Sequence, residues 1–356
     1  MSAHANRRQF MRTAAVGSLV GLADLGFLRQ LPPVSAKDAT LDPKVVRLDP
    51  GIEPLVRLLE ETTRDRLLEE VAGRVRKGLS YREVLAALLL AGVRNVEPRP
   101  SVGFKFHAVL VVNSAHLASL AGPDADRWLP IFWALDNFKN AQAQNIKERG
   151  GWRMPPVKEA NVPPARKARQ AFVEAVEAWD AEAADVAIAG LVRTAGTDEV
   201  MELFWRYAPR DYRDIGHKII FASNTRRALA VIGWEHSEPI LRSLAYALMS
   251  ARGGNPAKAD DPADRPGKKN RELIKEIRPE WREGKPDADA AAELLAVFRQ
   301  ASAEDAAREV VRLLNKGVAA NCVWDAVLAG AGELLMRRPG IPSLHAVTTA
   351  NAIRFA

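Results

Sequence analysis

One cysteine, Cys322, stands in the 356 residues. A lone thiol excludes an intrachain disulfide and any zinc or iron–sulfur site built on several cysteines, and no haem-attachment CxxCH is present. There is no GxGxxG after a strand, no phosphate-cradling Walker sequence and no GxSxG elbow, so nucleotide, nucleoside-triphosphate and hydrolase-elbow chemistries lose their usual signatures. HExxH and paired ExxH spacings are absent as well. No run of five like charges exists, and no basic stripe is interleaved with aromatics. The formal charge of +7 therefore carries no nucleic-acid footprint. Part of it lies at the N-terminus, where Arg7, Arg8, Arg12 and Arg29 stand against Asp24; four minus one is +3, leaving +4 for the rest. No nucleic-acid partner is expected.

Apolar runs long enough to cross a bilayer are missing too. The best, Thr13 to Leu28, is short and interrupted by Asp24. It follows Asn6-Arg7-Arg8-Gln9-Phe10-Met11-Arg12, the pattern of a twin-arginine export signal, and Val34-Ser35-Ala36 has the small residues of a cleavage site. The expectation is a signal peptide over 1–36, cleavage after Ala36, the twin-arginine translocase as partner during export, and a periplasmic or otherwise exported mature chain with no stable membrane span. That route carries folded proteins, many with a cofactor already inserted.

Strand signals are scarce; VLVVN at 109–113 reads better as buried helix. Apolar residues otherwise recur at three- and four-residue steps, as in Leu55, Leu58, Leu59, Leu67, Leu68, Val71 and Val75, which predicts an all-α fold. Gly78 ends one helix, and Ser80 with Glu83 three residues later forms a capping box for the next. Ser302 and Glu304 mark another start. Trp128, Trp133, Trp205 and Trp324 lie on helical patterns and are expected in the core.

A histidine pattern appears three times: FKFHAVLVVNSAHLASL (104–120), DIGHKIIFASNTRRALAVIG (214–233) and PSLHAVTTANAIRFA (342–356). Each copy opens a helix with histidine, His107, His217 or His345. Each runs on to an asparagine, Asn113, Asn224 or Asn351, and carries a basic or imidazole residue nine after the histidine: His116, Arg226 or Arg354. A further helical segment precedes each. The reading is one helical domain over 37–356, built from three degenerate helix–loop–His-helix units at about 53–138, 165–249 and 288–356, with long polar insertions at 139–164 and 250–287. The spacings of 110 and 128 residues are too long for a regular solenoid. The first insertion is expected to be a lid, loop or linker. The second is expected to be mobile, given its Gly, Pro and mixed charge. The third His helix lies so near the end of the sequence that the C-terminus is expected to be packed.

Neutral imidazole is the commonest protein ligand for zinc, iron, copper and nickel. If the three units pack around a shared centre, His107, His217 and His345 become metal ligands with an open position for substrate. Iron, copper or zinc suits such a set. His236 and His116 are further candidates, but His116 lies about 900° around the helix from His107, on the opposite side. Asp211, Asp214, Glu235 and Glu238 are candidates to orient imidazoles. His217 and His236 are the candidate catalytic bases in a metal-free variant of the site. The competing reading makes the histidines structural, in a non-enzymatic helical-repeat protein of the cell envelope with a partner-binding groove.

The stretches GFKFHAVL, IGHKII and HAVTTANAIR resemble the questin oxidase-like family. The resemblance covers only the surroundings of His107, His217 and His345, and the chain departs from fungal members by its export signal and its two polar insertions. Members include oxygenases of polycyclic aromatic ketones. The resemblance implies oxidoreductase chemistry on a small apolar or aromatic molecule in an all-helical scaffold.

Overall fold

Fifteen α-helices are present in the computed structural model, which describes residues 45–46, 48–98, 106–251 and 253–356. In chain order they are α1 (Glu53–Glu61), α2 (Arg64–Arg76), α3 (Tyr81–Asn95), α4 (His107–Ala121), α5 (Leu129–Arg149), α6 (Ala165–Ala178), α7 (Ala181–Val192), α8 (Thr197–Tyr207), α9 (His217–Ile232), α10 (Ser237–Leu248), α11 (Arg265–Leu273), α12 (Ala288–Gln300), α13 (Ala303–Asn315), α14 (Ala320–Arg337) and α15 (Ile341–Phe355). The fold is all-α. Among the described residues the only extended pairing is an isolated bridge between Lys285 and Val318. The expected signal segment 1–36 lies outside the described residues.

Local chemistry sets the helix ends. Ser80 accepts from the Glu83 amide while the Glu83 carboxylate accepts from the Ser80 amide, so the predicted capping box is present. Asp180, Asp287 and Ser302 cap α7, α12 and α13 in the same way from one side. VLVVN lies inside α4, with Val109, Leu110 and Val112 buried.

The main core forms around α3, which is apolar on nearly every side and buried from Val84 to Asn95. It packs against α1, α4, α5, α9 and α10. Its buried C-terminal Arg94 is answered by acids on α1: Nη1 donates to both Glu53 oxygens at 2.7 and 2.9 Å, and Nε to Glu60 at 2.6 Å. A second, smaller core joins α12, α13 and α14 through Leu294, Leu313, Cys322 and Ala326. Helix α15 lies against α14 on one side and α9 on the other, and its Ala352 belongs to the main core. It therefore carries the last histidine from the smaller cluster to the larger one.

Three expectations need correction. The polar segment 250–287 is not loose where it is described. Asn255 donates to the Glu177 carbonyl, Gly254 accepts from Arg213, Asp264 accepts from the Tyr212 amide, and α11 forms within the segment. The segment 139–164 is half helix, because α5 continues to Arg149. The stretch beyond is pinned by Met154, fully buried, whose amide donates to Arg94 O and whose carbonyl accepts from Val46. Trp133 is 57 % exposed. The buried stripe of α5 is Ile131, Ala134, Leu135 and Phe138, and position 133 falls off it. Trp128, Trp205 and Trp324 are half-buried.

Candidate metal centre

Helix α9 lies between α4 and α15, and the pairings of His107 with His217 and Leu110 with Asn224, and of His345 with His217 and Asn351 with Arg227, make all three run in the same direction. Their register follows from side chains. Asn224 Nδ2 donates to Leu110 O at 2.9 Å, and Asn113 Nδ2 donates to Asn224 Oδ1 at 3.2 Å. On the other side Arg227 donates to Asn351 Oδ1 at 2.9 Å. The asparagines of the repeated pattern thus lock the helices one to two turns beyond the histidines. What is established is this register. The third His helix differs from the other two in leaning on the smaller core.

At the N-terminal ends the three imidazoles meet. His217 Nε2 lies 3.2 Å from His107 Nε2 and 3.0 Å from His345 Nε2, and all three ligand nitrogens fall within 4.8 Å of one another. His217 is buried; His107 and His345 are half-buried, which leaves one side of the group accessible. Among the described residues no carboxylate or thiol belongs to the cluster.

The approach of α15 to α9 depends on one turn. Ile215 and Gly216 both take positive φ, 49° and 90°, immediately before His217. A β-branched residue there is strained, of order 1–3 kcal/mol, and such strain persists only where the surroundings hold it. A Cβ on Gly216 would overlap Thr349 Oγ1 and press on its Cγ2 and Cβ at 3.0 and 3.1 Å. Thr349 Oγ1 donates to Ile215 O at 3.3 Å. Glycine thus lets α15 sit close enough for His345 to reach His217.

Proton positions follow from the partners. Ile341 O accepts only, so His345 Nδ1, 2.7 Å away, carries the hydrogen, and neutral His345 presents a lone pair at Nε2. His217 Nε2 has two nitrogen neighbours and at most one hydrogen. With neutral rings only one of the two N···N contacts can be a hydrogen bond. A cation bound by the lone pairs would remove the conflict at His217 Nε2. Nitrogens bound to one ion at about 2.0–2.1 Å are roughly 3.3 Å apart in a tetrahedron and roughly 2.9 Å apart at cis octahedral positions. The two distances to His217 fall within that range.

The proton is a poor candidate for that cation. Burial, followed by the neighbouring imidazoles of His107 and His345, lowers the His217 pKa from 6.5 to about 4. His217 also opens its helix, where the positive end of the helix dipole disfavours imidazolium. The sign for stability is definite. The unfolded chain takes up this proton near pH 6.5 and the folded chain refuses it until about pH 4, so stability is full above 6.5 and lost as pH falls toward 4. The urea midpoint of metal-free protein is expected to drop across that window, and a His217→Asn variant to show a flatter profile.

The other candidates stand elsewhere. His236 lies in a short 3-10 turn beyond the far end of α9, whose 16 residues span ~24 Å. Its pKa is lowered by burial, but it does not join the cluster. His116 bonds through Nδ1 to Tyr81 Oη at 3.0 Å, away from His107 as the helical angle requires. Asp211 does not orient an imidazole: it is buried and held by Lys218 and Arg213. Glu235 and Glu238 pair with Arg82 and Arg193. The backbone carbonyl of Ile341 orients His345 instead, and Gly216, Ile215 and Thr349 set the helix approach. Sequence reasoning missed these four; the Gly-His step before α9 was the one available signal.

Comparison with protein-family models, with characterised proteins and with solved structures finds no match. Among the described residues no helix is long and apolar enough to cross a membrane.

Proposed function

We propose that the chain is a metal-dependent enzyme in which His107, His217 and His345 hold one iron, copper or zinc ion. The observation that carries the reading is the convergence of three Nε2 atoms from three separate helices, with no hydrogen arrangement that satisfies all of them. Three neutral imidazoles leave the ion its full charge and at least one open position for water or substrate. Iron or copper would supply oxidative chemistry, and this is the reading we favour: an oxidoreductase acting on a small apolar or aromatic molecule, in keeping with the questin oxidase-like resemblance. Zinc would instead polarise a carbonyl or activate water. Within the chain, Ile341 O fixes the tautomer of His345, burial keeps His217 neutral and metal-ready, and Gly216 permits the close helix approach. We further propose twin-arginine export, which would deliver the protein folded and loaded.

A second reading has one observation in its favour. The N···N separations lie within hydrogen-bond range, so the cluster could act only as a tie between α4, α9 and α15 in a non-enzymatic envelope protein. Metal analysis separates the two. Protein exported and purified without chelators is expected to carry close to one iron, copper or zinc per chain. A folded His107→Ala, His217→Ala, His345→Ala variant is expected to carry little. Absence of metal from both, with the variant merely less stable, would favour the structural tie.

A further inference from the structure

The basic residues nine beyond the histidines remain without a role in the metal reading, and two of them border one cleft. His116 of α4 and Arg226 of α9 line one cleft of about 540 Å³, together with Asn113, Arg227, Trp205 and Phe355. Nine residues correspond to ~13.5 Å of helix, so the cleft lies well along the same three helices from the histidine cluster. Arg354 of α15 is not part of it: it donates to Asn321 and lies over Trp324. Among the described residues no carboxylate lines the cleft, and the remaining walls are aliphatic.

We propose that this cleft binds an organic carboxylate with a flat apolar body. Two guanidiniums from consecutive residues face it. Arg227 is held in place, donating to Asn351 and lying 4.0 Å from the centre of the Phe355 ring. Among the described residues Arg226 pairs with Asp198, 3.9 Å away and 99 % exposed, a pairing that water competes with readily. A planar fork of donors on a partly apolar wall matches a carboxylate better than a point cation would. Trp205 and Phe355 meet edge to face at 6.2 Å and supply an aromatic wall. Asn113 borders the same cleft. Leu110 O fixes the orientation of Asn224, Asn224 Oδ1 then takes the Asn113 amide hydrogens, and Asn113 Oδ1 is left buried without a partner. A buried acceptor of this kind is costly unless something donates to it. None of this rests on a metal at the histidines.

The test is calorimetric titration of 2-naphthoate, with neutral 2-naphthamide as control, into the protein as purified and again after chelator treatment. Naphthoate is expected to bind once per chain, about tenfold or more tighter than the amide, with the same affinity in both preparations. Arg226→Gln is expected to weaken naphthoate about tenfold or more while the thermal midpoint stays unchanged. Arg227→Lys, which keeps the charge and loses the fork, is expected to weaken it as well. Equal binding of acid and amide, or naphthoate binding indifferent to Arg226, would overturn the assignment. Binding seen only in metal-loaded protein and insensitive to Arg226 would place the carboxylate on the metal and overturn it too. Failure to find any metal would leave the expected titration unchanged.

Discussion

Gly216→Ala is expected to weaken metal binding by about tenfold or more and to destabilise the fold by about 2–4 kcal/mol. Two costs add. The residue sits at φ 90°, where a Cβ carries an intrinsic penalty of roughly 1–2 kcal/mol. The new methyl would also meet Thr349 at its Oγ1, Cγ2 and Cβ. A helical threonine has few rotamers to retreat into, so the relief must come from moving α15 away from α9. That motion carries His345 from His217, and a ligand set spread over three helices tolerates it poorly. The check is a competition titration with a metal indicator beside urea unfolding. Adding Thr349→Ala should recover most of the clash term and leave the backbone term, which a double-mutant cycle reads directly. Wild-type affinity in the single variant would mean that the close approach does not set the cluster.

Asp185→Ala carries the largest expected loss of stability, about 3–5 kcal/mol. Arg242 is fully buried and donates to both oxygens of Asp185 at 2.8 and 2.9 Å, with Pro155 O as its other acceptor. The pair joins α10 to α7. Removing the carboxylate leaves a buried guanidinium with one carbonyl for company. Against a total stability of about 5–15 kcal/mol for ordinary domains, that loss is a large fraction. Urea unfolding should show it as a lower midpoint with little change in slope. Metal content per folded chain should stay at the wild-type value, because neither helix supplies a histidine. A loss of metal without a loss of stability would contradict this division of labour.

The helices were readable because their signals are local. Three- and four-residue spacing, the Ser80–Glu83 box and Gly78 act within a turn or two. The three histidines were readable because one pattern recurred, and the asparagines in that pattern prove to hold Asn113 against Asn224. What stayed hidden depends on neighbours far along the chain. Nothing near Gly216 announces Thr349, and nothing near His345 announces that Ile341 O, not an acid, would fix its ring. Asp211 was a reasonable orienting acid by proximity, yet Lys218 and Arg213 claim it. His236 is close to His217 in sequence but separated from it by the full length of α9. The insertion 250–287 looked mobile from composition, because composition does not show that Asn255 reaches α6, that Gly254 and Asp264 meet the turn before α9, or that Arg265 pairs with Asp260.

The central claim is that three imidazoles share one ion, and X-ray absorption at the metal edge of protein purified without chelators tests it most directly. Close to one first-row metal per chain is expected, with roughly three imidazole nitrogens at about 2.0–2.1 Å and an exchangeable oxygen ligand beside them. A metal-free protein, or a metal surrounded mainly by oxygen and unaffected by His217→Ala, would contradict it.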